Sequence, residues 1–374
     1  MLIPFDDYPL HQTSEPFAHV GQGHPDQYDR FWFNGYTEDV YFAVALGLYP
    51  NRGVIDAAFA VVHGGVQRSV FASGRIPHDR TETRIGPITV RIVEPMRVNQ
   101  VLVDAPEYGL TAELTAHART PAYEEARAAR DAGTRRAWDV TRATQLVSWS
   151  GQLSSGGTRV ELGSSGAPAY GTKDRSWGIR PLGVPVQRAP EPGSDQLFFL
   201  WAPLNFEDVC LHYMVLEDAD AVPWSQTAAV LPVLREGAPV AGPDTGAREL
   251  RGIRHRLTWI PGLRRCSAAT LLLDDPGEPE QTVELEPLFA FRMKGAGYFH
   301  PQWAHGVWHD DLAVGGEQAR VEELDVLRPD CVHLQQVVRA RWGSRVGLGV
   351  LEQVAFGPYA PAGFTAALDG YAGS

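Results

Sequence analysis

Residues 40–71 read VYFAVALGLYPNRGVIDAAFAVVHGGVQRSVF and contain three apolar runs separated by two turns. The first run, residues 40–48, is almost uninterrupted and ends just before the turn-forming PNRG of residues 50–53. Gly64 and Gly65 stand between the second and third runs, and this pair predicts a hairpin because both residues accept a positive φ. The segment therefore predicts consecutive antiparallel strands.

The rest of the chain continues this pattern. Residues 110–117 alternate apolar and polar side chains, which is the period of a strand with one buried face. Glycine and proline number 38 and 28 of the 374 residues, and this content favours many short elements joined by turns. Further strand-like runs are residues 88–93, 98–103, 144–149, 159–162, 197–201, 209–216, 254–260, 268–273, 282–285, 332–342 and 346–356. We predict an all-β protein.

Two segments depart from the strand pattern. Residues 122–132, AYEEARAARDA, have acids near their start and arginines later and precede Gly133, so they predict a short helix. Residues 181–195 hold four prolines and predict a linker. We therefore predict two β-domains of similar size, residues 1–187 and residues 188–374.

Charge and composition exclude several classes of function. The 33 lysines and arginines against 45 aspartates and glutamates give a formal charge of −12, which argues against binding to nucleic acid or to an anionic membrane. No run approaches about 18 apolar residues and no secretory leader pattern is present, so membrane insertion is not expected. The three cysteines are far apart and predict neither a disulfide framework nor a metal-binding pair. We predict a cytoplasmic protein.

The sequence lacks the common catalytic and cofactor motifs. It has no nucleophile elbow, phosphate-binding loop or HExxH motif. Gly347 and Gly349 lack the third glycine of the dinucleotide-binding fingerprint and lie within a strand pattern. We therefore predict no cofactor, and we make no prediction of the oligomeric state.

Residues 297–312, GYFHPQWAHGVWHDDL, concentrate histidines among aromatic side chains. His300, His305 and His309 are candidate metal ligands because histidine binds metals readily. The alternatives are a polar pocket lining and structural histidines held by hydrogen bonds. Aromatic side chains beside titratable groups suit a pocket for an apolar molecule. The aromatic residues of this segment are Tyr298, Phe299, Trp303 and Trp308.

Residues 172–181, TKDRSWGIRP, place charges at alternate positions of a predicted strand. Asp174 and Arg180 would face one way, and Arg175 and Trp177 the other. One interpretation is an Asp–Arg pair that fixes the strand, with the tryptophan packed in the core. The other is an acid whose pKa is raised by burial and adjusted by the arginines, facing an aromatic wall.

These two segments carry a family resemblance. KDRSWGIRP (residues 173–181) and GAGYFHPQWAHGVWHDDLAVGGE (residues 295–317) resemble the hydroxyneurosporene synthase-like, or carotenoid hydratase-like, superfamily. The likeness is greater to a bacterial branch that carries paired domains of unknown function. It extends to residues 31–62, 332–343 and 349–364, and so covers most of the chain.

The resemblance implies two consecutive lipocalin-like antiparallel β-barrel or curved-sheet domains with few short helices. Relatives include hydratases that add water to an isoprenoid double bond and cofactor-free pericyclic cyclases of polyketide chemistry. For a hydratase, it implies Asp174 as the proton donor and His305 as the base that orients water. For a cyclase, it implies a shaped cavity with Tyr298 or Arg175 as a hydrogen-bond donor. The aromatic walls that stabilise a cation would be Trp177, Trp303 and Tyr298.

We predict a cofactor-independent hydratase, cyclase or lyase that acts on a small apolar, isoprenoid- or polyketide-like molecule in an aromatic-lined cavity. The main alternative is a non-catalytic lipocalin-type protein that binds a lipid or terpenoid. A third is a metal-dependent enzyme that uses the three histidines. The leading prediction takes Asp174, His305 and Tyr298 as catalytic residues. It takes as substrate contacts, with no metal, Trp177, Arg175, Arg180, Trp303, Trp308 and His309.

Overall fold

The structure is a computed structural model, and it describes residues 2, 6, 8–163, 168–183 and 196–373. Strands joined by turns and by short 3₁₀ turns make up this part of the chain, so the prediction of an all-β protein is confirmed. The predicted domain boundary between residues 187 and 188 lies outside the described residues, as does most of the predicted linker. Among the described residues, no helix has the length and apolar character needed to cross a membrane.

Fourteen strands of the described chain form the first sheet. They are β1 (Gln27–Tyr36), β2 (Val40–Tyr49), β3 (Val54–His63), β4 (Val66–Arg75), β5 (Arg84–Ile85), β6 (Ile88–Glu94), β7 (Val98–Ala105), β8 (Leu110–Ala118), β9 (Tyr123–Glu124), β10 (Ala128–Ala132), β11 (Arg135–Ser155), β12 (Thr158–Leu162), β13 (Ala169–Ile179) and β22 (Leu312–Arg320). The order is β22-β4-β3-β2-β1-β13-β11-β8-β7-β6-β5, and β9, β10 and β12 also pair with β11. Neighbouring strands are antiparallel.

Ten strands of the described chain form the second sheet. They are β14 (Leu197–Trp201), β15 (Leu204–Asn205), β16 (Val209–Glu217), β17 (Pro223–Pro232), β18 (Arg248–Glu249), β19 (Gly252–Trp259), β20 (Cys266–Asp274), β21 (Gln281–Arg292), β23 (Leu334–Trp342) and β24 (Arg345–Phe356). The order is β18-β17-β16-β14-β24-β23-β21-β20-β19, and β15 pairs with both β16 and β24. This sheet is also antiparallel.

The predicted hairpins of residues 40–71 are confirmed. A 3₁₀ turn at Pro50–Arg52 joins β2 to β3, and Gly53 ends it with a φ of 69°. Gly64 and Gly65 join β3 to β4 with φ values of 58° and 74°, which a side chain at either position would disfavour. The alternation expected of residues 110–117 is also present, because the apolar residues of β8 are buried and their neighbours are not.

The helix predicted for residues 122–132 is wrong. The segment instead contributes β9 and β10, which pair with the 21-residue strand β11. Arg127 donates to Asp139 on β11, and the buried Glu125 accepts from Arg142 on the same strand. These long-range partners outweigh the weak local preference of a short, polar segment for helix.

The two sheets pack face to face over a shared core. From the first sheet this core takes aromatic residues such as Trp32 and Tyr41, and from the second it takes Trp201 and Phe291. Burying one such side chain contributes about 2–3 kcal/mol to stability. Hydrogen bonds also cross the interface, since Asn34 Nδ2 (2.9 Å) and the Tyr41 hydroxyl (2.6 Å) both donate to Gln335 Oε1. Each sheet also encloses a separate apolar core on its other face.

One segment from the second half of the chain lies against the first sheet. A 3₁₀ turn at Met293–Ala296 leads into residues 297–311, here named the covering loop, and β22 then pairs with β4. Gly306 N donates to Asp56 Oδ2 on β3 (2.6 Å), and the Ser73 hydroxyl on β4 donates to Val307 O (2.8 Å). Gly183 N donates to His305 O (3.2 Å), so the covering loop also contacts the chain two residues after the KDRSWGIRP segment.

Candidate functional site

Strands β1 and β13 present alternating side chains to the space between the two sheets. Their register places Arg30 opposite Ser176 and Trp32 opposite Asp174, and directly opposed residues of an antiparallel pair share a face. Arg30 is 1% exposed and Asp174 is 8% exposed, so both charged side chains are buried. Charged residues are rarely buried in this way without a partner or a function.

The covering loop brings titratable and aromatic groups to the same place. The Arg30 guanidinium carbon lies 4.6 Å from the centre of the Tyr298 ring. The ring centres of His305 and His333 lie 4.8 and 4.7 Å from that of Tyr298. We name Arg30, Asp174, Tyr298, His305 and His333 the inter-sheet site.

Asp174 is held by a buried network of charges. Arg142 Nε lies 3.1 Å from Asp174 Oδ2, and Arg142 Nη1 donates to Glu125 Oε2 at 3.2 Å. The network reaches the second sheet, because His212 Nε2 lies 3.3 Å from Glu125 Oε1. Burial raises the pKa of Asp174 to about 6, against the opposing effect of Arg142, and the charge of Glu125 adds to the rise. Asp174 therefore holds or releases its proton near neutral pH.

Glu125 differs from Asp174 in its proton affinity. Burial opposes its ionisation, but the charges of Arg142 and His212 and the Thr144 hydroxyl together lower its pKa. Burial also lowers the pKa of His212, while the charges of Glu125 and Arg142 act on it in opposite directions. The network thus contains one carboxylate that stays ionised and one that titrates near neutral pH, the pairing that separates acid and base roles in enzymes.

His305 is a neutral imidazole in this site. Burial and the positive charges of Arg30 and Arg180 lower its pKa well below the usual value. Its Nδ1 lies 3.9 Å from Asp56 Oδ1, and its Nε2 has no hydrogen-bond partner among the described residues. Burial raises the pKa of Asp56 to about 6, although Gly306 N and the Tyr49 hydroxyl donate to that carboxyl group. A neutral histidine in such a place can accept a proton.

The second sheet closes the site with a chain of hydrogen bonds. His333 Nε2 lies 2.6 Å from Glu352 Oε1, and Gln335 Nε2 donates to Glu352 Oε2 at 2.6 Å. Gln335 in turn accepts from Asn34 and Tyr41 of the first sheet. The inter-sheet site therefore depends on residues of both halves of the chain.

The free space that the structure shows beside this site is much smaller than the aromatic-lined cavity predicted for an apolar molecule. A cavity of about 10 Å³, enough for about one water molecule, is lined by Asp56, Trp303, His305 and His309 among others. A larger open recess of about 980 Å³ lies elsewhere, against β5 to β8 and β11. Charged side chains such as Arg84, Arg91 and Glu113 line that recess, which does not suit an apolar ligand.

The predicted residues of β13 divide between two faces. Asp174 faces the inter-sheet site, and Arg180 lies beside it, with its guanidinium 4.9 Å from the Tyr28 ring and 5.6 Å from the Tyr298 ring. The structure does not bring Trp177 and Arg175 to the inter-sheet site with Asp174, because alternate strand residues point to opposite faces. Trp177 is 43% exposed, and Arg175 pairs with Asp29 at 2.7 Å.

The covering loop also divides its predicted residues. Trp303 stacks on Phe71 at 5.7 Å and lines the small cavity with His309. Trp308 is 44% exposed beside Arg75, so the structure does not bring it to the inter-sheet site.

The three histidines of the covering loop do not gather around one point. His300 Nδ1 accepts from Gln302 N and Trp303 N, and its Nε2 lies 3.3 Å from Glu317. His305 and His309 line the small cavity instead. In the described part of the chain, no three histidine, cysteine or acidic side chains form a potential metal cluster.

Sequence reasoning missed several residues of the site and its supports. These are Arg30, Asp56, Glu125, Arg142, His333 and Glu352. The available signal was a polar residue within an apolar strand, as in VIDAAFA and VHLQQVV. Such residues are informative because burial of a polar group requires a partner. Their partners lie on strands distant in sequence and could not be identified from the spacing.

Comparison with known proteins identifies the family. The chain belongs to DUF8625, a family of unknown function, whose sequence profile matches residues 2–365. No curated protein matches the chain in sequence.

Solved structures share the fold. A putative AttH from Nitrosomonas europaea aligns with a TM-score of 0.54 and 12% identity over 88% of this chain and 92% of that chain. Kievitone hydratase from Nectria haematococca aligns with a TM-score of 0.49 and 11% identity over 87% of this chain and 88% of that one. CghA aligns with a TM-score of 0.43 and 15% identity over 88% of each chain. The likeness to the Nitrosomonas protein shows a common fold.

Proposed function

We propose that this member of DUF8625 is a cofactor-independent enzyme of the hydroxyneurosporene synthase-like superfamily. It acts as a hydratase, lyase or cyclase on an apolar isoprenoid- or polyketide-like molecule, by acid–base catalysis at the inter-sheet site. The observation that supports this most is the environment of Asp174. This buried carboxyl group has a pKa near 6, and its Oδ1 has no hydrogen-bond partner among the described residues. An acid catalyst needs a proton affinity near the working pH and a free oxygen that faces the substrate.

The residues have complementary roles in the hydration direction. Asp174 donates its proton to one carbon of the double bond, and the oxygen of water bonds to the other carbon. His305 Nε2 accepts the proton that water loses. His305 then releases this proton to solvent and Asp174 takes one up, which restores both groups. In the lyase direction, the same steps run backwards and release water. General acid and base catalysis of this kind contributes about 10²- to 10⁴-fold each.

The Tyr298 ring can stabilise positive charge that develops on the substrate, and Arg142 stabilises the negative charge left on Asp174. The Tyr298 ring contacts both the guanidinium group of Arg30, at 4.6 Å, and the imidazole of His305, at 4.8 Å. Arg142 holds Asp174 in place and, because it is shared with Glu125, only partly offsets the effect of burial on the pKa. This sharing keeps the acid strong enough to donate and weak enough to be protonated.

A search for turnover in D₂O tests the proposal. The purified protein is incubated with a panel of isoprenoid and polyketide-like alcohols, alkenes and enones, and the products are analysed by mass spectrometry. A hydratase gives a product heavier by one water with deuterium on carbon, a lyase gives one lighter by water, and a cyclase gives an isomer. We expect Asp174→Asn to lower the rate by about 100-fold or more.

The matched control is Asp311→Asn, which removes an exposed carboxylate that pairs with the exposed Arg75. This control should react at the wild-type rate. Turnover that survives unchanged in Asp174→Asn would refute the assigned role. If the wild-type protein converts no compound and only binds some of them, the lipocalin-type binding protein is the correct description.

A further inference from the structure

Arg30 is a buried cation without a hydrogen-bond partner. None of its three guanidinium nitrogens has a partner among the described residues, and the side chain is 1% exposed. Its contacts are with the rings of Tyr298 at 4.6 Å and Trp32 at 5.9 Å. Cation–π contacts of this type contribute about 0.5–2 kcal/mol, which is less than the cost of removing a guanidinium from water.

Two other buried arginines of the chain, unlike Arg30, have hydrogen-bond acceptors. Arg264 is 2% exposed and donates to the carbonyl oxygens of Ala355 and Gly357, among other acceptors. Arg292, also 2% exposed, donates to Cys331 O at 3.0 Å. The fold therefore supplies acceptors where an arginine serves structure, and Arg30 stands apart from this pattern. A buried donor without a partner calls for a specific explanation.

Arg30 has both positive groups and carboxyl groups near it. The carboxyl groups are Asp56 and Asp174, and burial raises the pKa of each to about 6, which weakens their negative charge near that pH. The guanidinium group of Arg180 lies 5.6 Å from the centre of the Tyr298 ring. The positive charges of Arg30 and Arg180 both act on His305 and help to keep it neutral. The Trp32 Nε1 donor is also buried and has no partner in the described part of the chain. An oxygen anion could accept from such groups, and charge-assisted hydrogen bonds of this kind are about twice as strong as neutral ones.

The covering loop provides a route to Arg30. Tyr298 is partly exposed, and its ring contacts the buried guanidinium group of Arg30. The next residue, Phe299, is 49% exposed and has a positive φ of 52°, which is unfavourable for a residue with a side chain. Movement of this part of the loop would replace the ring of Tyr298 over Arg30 by a ligand.

We propose that Arg30 binds an anionic oxygen of the ligand, so that the site accepts an apolar molecule that carries a carboxylate group. This inference rests on the proposed function, because it names the substrate class of the same site. The carboxylate pairs with the guanidinium of Arg30, and the apolar part of the molecule lies against Tyr298 and Trp32. The reacting carbons then lie towards Asp174 and His305.

Binding of benzoate and benzamide by titration calorimetry tests this inference, since the two probes have the same shape and differ in charge. The wild-type protein should bind benzoate at least about tenfold more tightly than benzamide. Arg30→Gln should abolish this preference and Arg30→Lys should keep part of it. The control Arg320→Gln, which changes an exposed arginine paired with Glu322, should leave the preference intact.

A second measurement separates a ligand-binding role from a structural one. Without any probe, Arg30→Met should have a thermal midpoint at or above that of the wild type, because it removes an unpaired buried charge. Any one of three results would overturn the inference. The wild type could bind both probes equally, it could bind neither probe, or Arg30→Gln could keep the preference for benzoate. Those results would leave the proposed function standing if Asp174→Asn still abolishes turnover. A benzoate preference without turnover would indicate a carboxylate-binding protein instead.

Discussion

At the scale of single residues, burial and charge together decide what each polar group can do. Asp174 and Glu125 share Arg142, yet burial dominates at Asp174 and the nearby charges dominate at Glu125. The difference follows from partners, since Glu125 also accepts from the Thr144 hydroxyl at 2.6 Å, whereas Asp174 Oδ1 accepts from none of the described residues. The pKa values of these two carboxyl groups therefore differ because Glu125 accepts more hydrogen bonds than Asp174.

The raised pKa of Asp174 makes a prediction about stability and pH. The folded protein keeps this proton up to about pH 6, whereas the ordinary value is 3.8, so folding takes up a proton between these limits. The contribution of the carboxyl group to stability is therefore largest below pH 4 and declines as the pH rises through 6. Asparagine does not titrate, so Asp174→Asn should gain stability relative to the wild type between about pH 4 and 7, by at most about 3 kcal/mol.

Urea denaturation at a series of pH values measures this difference, and comparing two variants cancels the titration of all other groups. Asp311→Asn is again the control, and its difference from the wild type should hardly vary because its ion pair is exposed. A constant difference for Asp174→Asn would mean that this carboxyl group ionises alike in the folded and unfolded chains.

At the scale of elements, strand β13 separates two sets of side chains and positions the site. Its even-numbered residues Asp174 and Ser176 face the second sheet, and Arg175 and Trp177 face away. This alternation could be predicted from the sequence. The sequence did not show which face meets the second sheet, because charged and aromatic residues occur on both faces of the strand.

Gly178 is a position in β13 that should tolerate substitution poorly. It has a φ of 130°, and a Cβ there would overlap the carbonyl oxygen of Asp139 on β11. Gly178→Ala should therefore lower the free energy of unfolding by about 1–3 kcal/mol and displace Arg180, two residues further on. Gly23→Ala is the control, because a Cβ there has nothing within 4 Å. Chemical denaturation compares the two, and equal stabilities would show that β11 and β13 separate easily.

The covering loop and its neighbours show which residues of the site could be predicted from local sequence and which could not. Its histidines and aromatic residues were recognisable as a candidate site, and the structure does bring Tyr298 and His305 to Asp174's side of the first sheet. Arg30 could not be recognised, because its segment DRFWFNGY (residues 29–36) resembles any amphipathic strand. The lack of hydrogen-bond acceptors for Arg30 among the described residues depends on the tertiary structure, which the sequence does not show. The failed helix prediction has the same cause, since the partners of residues 122–132 on β11 are tertiary.

At the scale of the whole molecule, the two sheets together form the inter-sheet site. The first sheet supplies Asp174 and Arg30, while the second supplies Glu352 and the residues that orient it. The charge of Glu352 contributes to the raised pKa of Asp174 across the interface between the sheets. Such coupling is possible only where the intervening medium is poor in water.

A carboxyl ¹³C NMR titration of Asp174, in the wild type and in Glu352→Gln, tests this claim most directly. Comparison with Asp174→Asn assigns the signal. The account predicts a midpoint near pH 6 in the wild type and a lower midpoint in Glu352→Gln, because that variant removes a repulsive charge on the opposite sheet. A wild-type midpoint near the ordinary value of about 4, or one that Glu352→Gln leaves unchanged, would contradict a shared acid–base site between the sheets.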